Sequence, residues 1–189
     1  MPLLIDEFVP SFDAAIAEHL IVRADPSTTF RAARELDFLS VHTPLLDVAM
    51  WARGLPARVT GRAVAAPPRL VLSEGDPLPG WLVLGENPGV ELVFGAVGKF
   101  WQANIEWRDV AAADFTQFTE PGWGKIVANL CVLPYGRATL LTYECRTVTT
   151  DPASRQKFLR YWSVMRPFIA HIFRATVRTI RDHAQRPPS

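Results

Sequence analysis

The sequence is poor in the residues that most often announce chemistry. It has two cysteines, Cys131 and Cys145, and no CxxC pair. Its four histidines, His19, His42, His171 and His183, are scattered, and none stands four residues from another. Zinc-binding motifs of the closed Cys/His type and the helical His type are therefore absent. No serine sits in a GxSxG elbow, which removes the hydrolase nucleophile signature. The glycines at 85, 89, 95 and 98 fall in strands and a turn rather than before a helix. They read as bulges or bends, not as a phosphate cradle. No metal, no cofactor and no catalytic residue is expected.

Charge of one sign is missing too. The 189 residues carry 20 Lys plus Arg against 19 Asp plus Glu, a net charge of +1. A dedicated nucleic-acid binder usually has a strongly basic domain, so no nucleic-acid partner is expected. The balance is uneven along the chain. Residues 155–189 hold eight basic side chains and one acidic, a balance of +7, and the remainder holds twelve and eighteen, a balance of −6. Apolar runs stay far below the roughly 18–20 residues that span a bilayer, so no transmembrane segment is expected. The start, MPLLIDEFVP, lacks a basic region before its short apolar run, and a cytoplasmic location is the expectation.

What is present is apolar mass. Hydrophobic residues make up 49% and charged residues 21%, which excludes a disordered chain. The length suits a single domain over 1–189, with 1–16 as an N-terminal extension and 185–189 as a flexible tail.

Three helix starts share one spelling: Asp25-Pro26, Thr43-Pro44 and Asp151-Pro152 each put a capping oxygen before a proline at the first helical position. They predict short helices over 26–36 and 44–53 and a long one over 152–184. A strand is expected before the first two, at 18–24. Residues 55–80 contain five prolines and read as a covering loop or lid.

From Gly80 the period changes to two. Strands at 81–85 and 91–97 flank Glu86-Asn87-Pro88-Gly89 as a hairpin. Trp81, Val83, Leu92, Phe94 and Ala96 share one face, with Glu86 and Glu91 on the other. A short strand is expected at 104–108, then irregular chain with helical turns near 111–118. Strands at 125–133 and 138–149 surround Pro134-Tyr135-Gly136-Arg137. A loop at Tyr135-Gly136 would pair Ile126 with Cys145, Ala128 with Tyr143 and Leu130 with Leu141 on an apolar face. Lys125 with Arg146, Val127 with Glu144 and Asn129 with Thr142 would form the other, mixed face. Cys131 and Cys145 then lie on opposite faces, so no disulfide is expected.

The long helix carries Phe158, Trp162, Met165, Ile169, Ile172, Phe173, Thr176 and Ile180 within about 100° of one face. Arg160, Arg174, Arg178 and Arg181 lie on the wet side, and Pro167 falls mid-helix on that outer face.

The order of strand, short helices, antiparallel meander and long amphipathic helix predicts an α+β fold. With the stretches AEHLIVRADPSTTFRAARELD and LLTYECRTVTTDPASRQKFLRYWSVMRP, the chain resembles the START-like, birch-pollen-allergen-like helix-grip superfamily, the SRPBCC proteins. That resemblance implies a curved antiparallel sheet gripping the C-terminal helix, with two short helices after the first strand. It also implies a hydrophobic cavity between sheet and helix. Family members bind lipids, polyketides or similar small molecules, and some are polyketide cyclases or dehydratases. Fold does not choose among these.

Candidate ligand-binding residues are Trp81, Phe94, Phe100, Trp107, Leu130, Tyr143, Phe158, Trp162, Met165 and Ile169. Periodicity alone is equally served by side chains that fill a closed core. Tyr143 has two readings: orienting a ligand as a weak acid, or bonding a backbone carbonyl. The expected partner is a small hydrophobic ligand. The basic outer helix face offers a second use, contact with an anionic membrane surface or an acidic partner, against the plainer reading of a solvated face that complements the acidic sheet. Oligomeric state is not legible.

Overall fold

The computed structural model describes residues 2–37 and 80–186. Its elements run α1 (Leu4–Phe8), β1 (Ala14–Val22), α2 (Pro26–Arg34), β2 (Trp81–Asn87), β3 (Glu91–Gly98), β4 (Trp107–Arg108), β5 (Gly124–Tyr135), β6 (Ala138–Thr149) and α3 (Pro152–Ala184). The expected helix at 44–53 and all but the last residue of the 55–80 connection lie outside the described residues.

Both described helix starts form through the side chains expected of them. The Asp25 carboxylate accepts from the Thr28 amide at 2.9 Å, and the Asp151 carboxylate accepts from the Ser154 amide at 2.9 Å. Asp151 also accepts from the Gly122 amide at 2.6 Å. The start of α3 is thereby tied to the turn that enters β5. The long helix spans the residues expected of it, and β1 begins four residues earlier than expected.

The strands form one antiparallel sheet in the order β1-β6-β5-β3-β2, with β4 paired to the end of β3. The β5–β6 register differs from the expectation. Tyr135 pairs with Ala138 and Ile126 with Thr147, so the two-residue loop is Gly136-Arg137. Gly136 adopts φ 62°, a left-handed conformation that costs glycine little. The shift is two positions in the pairing, so every side chain keeps its predicted face. Ile126, Ala128 and Leu130 face α3 with Tyr143, Cys145 and Thr147. Cys131 lies opposite Thr142 on the other face, and both cysteines are free thiols.

A register shift between Val83 and Gly85 corrects one assignment. It pairs Glu86 with Leu92, which brings Glu86 to the helix side, where it meets Arg34 of α2 at 3.3 Å.

The outer sheet face, expected to be mixed, is a second core. Ile5, Val9, Val93, Val97, Phe115, Trp123 and Val127 are buried together there. Every residue of β3 is buried, as expected of a strand covered on both faces. The charged residues on this face act as anchors. Glu91 is 1% exposed; its carboxylate accepts from the Leu4 and Ile5 amides at 2.6 and 3.2 Å and from Asn129 Nδ2 at 2.6 Å. Lys125 does not pair with Arg146; it lies opposite Val148 and donates to the Thr116 carbonyl at 3.0 Å. Arg146 instead bridges Glu144 at 2.6 Å and Asp6 at 2.7 Å. Residues 2–9, part of the expected extension, are thus pinned to the back of the sheet.

Candidate functional site

The inner face belongs to α3, and the helix does not close on it evenly. At its C-terminal end Phe173, Thr176, Val177, Ile180 and Ala184 are buried. In its middle Trp162, Met165, Ile169 and Ile172 are only half-buried, although they lie on the same apolar stripe. The space beneath Trp162, Ile169 and Ile172 is a partly open cavity of about 220 Å³. Its floor is Ile126 and Ala128 of β5 with Tyr143, Cys145 and Thr147 of β6. Its roof is Phe158, Tyr161, Trp162, Ile169, Ile172 and Phe173, and Trp81 and Phe100 close one end.

Phe100 reaches that position because the sheet under it has no side chains. Gly98 and Gly124 face each other across β3 and β5. A Cβ at Gly98 would stand 2.9 Å from Phe100 Cε1, and one at Gly124 would stand 3.2 Å from Cε2. Trp107 in turn packs on Phe100 with ring centroids 5.8 Å apart.

Of the ten residues singled out from the sequence, Trp81, Phe100, Tyr143, Phe158, Trp162 and Ile169 line the cavity. Phe94 and Leu130 are buried in the core beside it, at 2% and 0% exposure. Trp107 meets Phe100 edge-on, with ring planes 62° apart, and neither it nor Met165 lines the cavity. Seven lining residues were not singled out: Ile126, Ala128, Cys145, Thr147, Tyr161, Ile172 and Phe173. Their signal was available, because strand alternation and the helical stripe put most of them on the inner face.

No lining side chain among the described residues is charged. The polar atoms are hydroxyls, indole N–H groups and one thiol. Tyr143 is 7% exposed, its ring stacked on Phe173 with centroids 3.8 Å apart. Among the described residues its hydroxyl has no hydrogen-bond partner. Of the two readings of Tyr143, a bond to a backbone carbonyl is not seen among the described residues. Burial first, and then the neighbouring Cys145, holds the Tyr143 phenol well above the ordinary tyrosine range. The phenol therefore keeps its proton and acts as a hydrogen-bond donor, not a base. Burial likewise pushes the Cys145 thiol up to about 12, so it offers no thiolate nucleophile at neutral pH.

A second concavity, about 480 Å³ and open to solvent, lies where β1 meets α3, between Ala15–Glu18 and Arg166, Pro167, Ala170 and Arg174. Its walls are mixed, and Arg174 is already paired with Glu18 at 2.9 Å. Arg155 pairs with Asp13 at 2.7 Å and Arg181 with Asp182 at 2.8 Å. Arg155 and Arg174 thus meet carboxylates of the N-terminal portion, whereas the Arg181 pair lies within α3. Among the described residues no His/Cys/Asp/Glu cluster could hold a metal ion, and no helix is long and apolar enough to cross a membrane.

A curved sheet, its strand order and the long helix laid across one face define the architecture. It is a helix-grip fold. This is the fold that the resemblance to START-like and birch-pollen-allergen-like proteins implies. No family model matches the sequence, and no curated protein matches it. Solved structures with a similar arrangement include the di-domain ARO/CYC BexL from the BE-7585A biosynthetic pathway, at 13% identity and a TM-score of 0.44, covering 96% of this chain and 54% of that one. The di-domain ARO/CYC StfQ from the steffimycin biosynthetic pathway aligns at 11% identity and a TM-score of 0.43, covering 90% of this chain and 50% of that one. Ara h 8.0201 aligns at 8% identity and a TM-score of 0.34, covering 89% and 98%. The chain spans about half the length of the two di-domain proteins.

Proposed function

We propose that the protein binds a small hydrophobic molecule in the cavity between the sheet and α3. The observation that carries this reading is the incomplete closure of an otherwise dense core. Protein interiors pack with few voids larger than a water molecule. A stripe that served only as core would be buried along its length, yet Trp162, Ile169 and Ile172 face about 220 Å³ of space. An apolar concavity with a few placed polar groups is the form small-molecule sites take. The test is native mass spectrometry of the purified protein with solvent extraction of any bound species, followed by thermal shifts across lipids and polyketides. A retained or stabilising apolar molecule supports the reading. No bound species and no shift across the panel contradicts it.

A polyketide cyclase or dehydratase using the same cavity is the second reading, favoured by one observation, the unpartnered Tyr143 hydroxyl. Proton transfer needs a group that changes protonation near the working pH. The phenol is pushed away from that range, and no carboxylate, histidine or lysine lines the described wall. Binding is therefore the better-supported use. Turnover of a linear poly-β-ketone mimic that is lost in Tyr143→Phe would reverse this order.

A further inference from the structure

We infer that Tyr143 selects the ligand of this cavity, admitting a neutral molecule of one or two fused rings whose hydrogen-bond acceptor, such as a ketone oxygen, receives the Tyr143 hydroxyl proton. The inference rests on the proposed binding function and sharpens it in three respects.

Size is the first. An apolar cavity of about 150 Å³ accommodates benzene, whereas pockets for drug-sized ligands begin at about 300 Å³. At about 220 Å³ the space lies between these and holds one or two rings. Charge is the second. With no charged side chain on the described wall, a carboxylate or ammonium would enter without a counter-ion, at a cost that the contacts of a small ligand do not offset.

Polarity is the third. Tyr143 is 93% buried by its 7% exposure, lines the cavity, and has no partner for its hydroxyl among the described residues. The hydroxyl is a donor on the cavity wall without a protein partner among the described residues, and a ligand acceptor can take that hydrogen bond in place of water. The ring cannot easily turn away, because Phe173 lies parallel to it at 3.8 Å and Phe94 stands on another side at 6.3 Å. The donor is held in place before the ligand arrives. A site built around a fixed donor discriminates against isosteres that lack the acceptor.

The test compares 1-tetralone with tetralin, its hydrocarbon counterpart, by isothermal titration calorimetry on wild type and Tyr143→Phe. Removing an unpartnered hydroxyl leaves the packing of the ring intact, and tetralin binding reports whether the variant retains its cavity. The expected result is a loss of roughly tenfold in tetralone affinity on substitution, with tetralin affinity changed less than about twofold. If both ligands bind and the substitution affects them equally, selection by Tyr143 is overturned while the binding function stands. If neither ligand binds the wild type, the binding function itself fails and the inference falls with it.

Discussion

Tyr143 of β6 and Phe173 of α3 stack face to face, with ring centroids 3.8 Å apart and planes 6° from parallel. The contact joins sheet to helix at one border of the cavity. Beyond it, toward the C-terminus, Thr176, Val177, Ile180 and Ala184 are buried. Before it, Trp162, Ile169 and Ile172 stand over open space. One helix therefore does two jobs, a packed anchor at its end and a cavity roof in its middle.

That division predicts unequal costs for truncation along one stripe. Ile180 is 0% exposed, and Ile180→Ala should cost about 2–5 kcal/mol through lost burial plus a new void. Trp162→Ala removes a half-buried ring from the edge of an existing cavity, and should cost only about 1–2 kcal/mol despite the larger side chain. Urea unfolding of both variants checks the order. A larger cost for Trp162→Ala would make that ring core.

The second core makes Glu91 structural. Its buried carboxylate accepts from two α1 amides and from Asn129. Glu91→Ala leaves these donors unsatisfied, for an expected loss of about 3 kcal/mol. Hydrogen exchange should locate the damage: the Leu4 and Ile5 amides lose protection before the β5–β6 pairs do. Unchanged protection at α1 would contradict the anchoring role.

Much of this organisation was legible in the sequence, and the misses have specific causes. Asp25 and Asp151 marked helix starts because a short carboxylate before proline has one low-energy use there. The inner faces of β5 and β6 were assigned correctly although the loop was misplaced from Gly136-Arg137 to Tyr135-Gly136, because a shift of two conserves alternation. Glu86 falls on the other face because Gly85, though it reads as a bulge or bend, does not by itself say how far the register slips. The second core was missed for a different reason. Lys125, Asn129, Glu144 and Arg146 look like a solvated face, and only tertiary structure shows that Asp6, Glu91 and the 115–116 carbonyls satisfy them. At the site, Trp81, Phe100, Tyr143, Phe158 and Trp162 were legible by size but Tyr161 and Phe173 were not singled out, and Ala128 and Thr147 matter by position alone.

Acid should weaken the start of α3. The Ser154 hydroxyl and amide, then the Gly122 amide, hold the Asp151 carboxyl at about 2 against an ordinary 3.8. The folded value lies below the unfolded one, so the folded state binds fewer protons between them. The contribution is complete above about pH 4 and is lost as the pH falls through about 2. Thermal melts between pH 5 and pH 2 should fall less steeply for Asp151→Asn than for wild type. Equal slopes would remove Asp151 from the acid response.

Neither thiol should react in the native state. Burial, with the Glu91 and Glu144 carboxylates adding to it, pushes the Cys131 thiol up to about 12, and burial does the same for Cys145. A disulfide-exchange reagent at pH 8 should titrate no thiol until denaturant is added, and then two. Fast labelling of the native protein would show that one of them is reached by solvent.

The central claim is that a small apolar molecule enters between sheet and helix, and a methyl-resolved NMR titration with tetralin tests it most directly. Ile126, Ile169 and Ile172 line the cavity, whereas Ile5 lies in the opposite core and Ile180 in the packed end of α3. The account predicts saturable shifts at the first three methyl groups, with Ile5 and Ile180 nearly unmoved. Unmoved cavity methyl groups at ligand saturation, or shifts spread evenly over both cores, would contradict it.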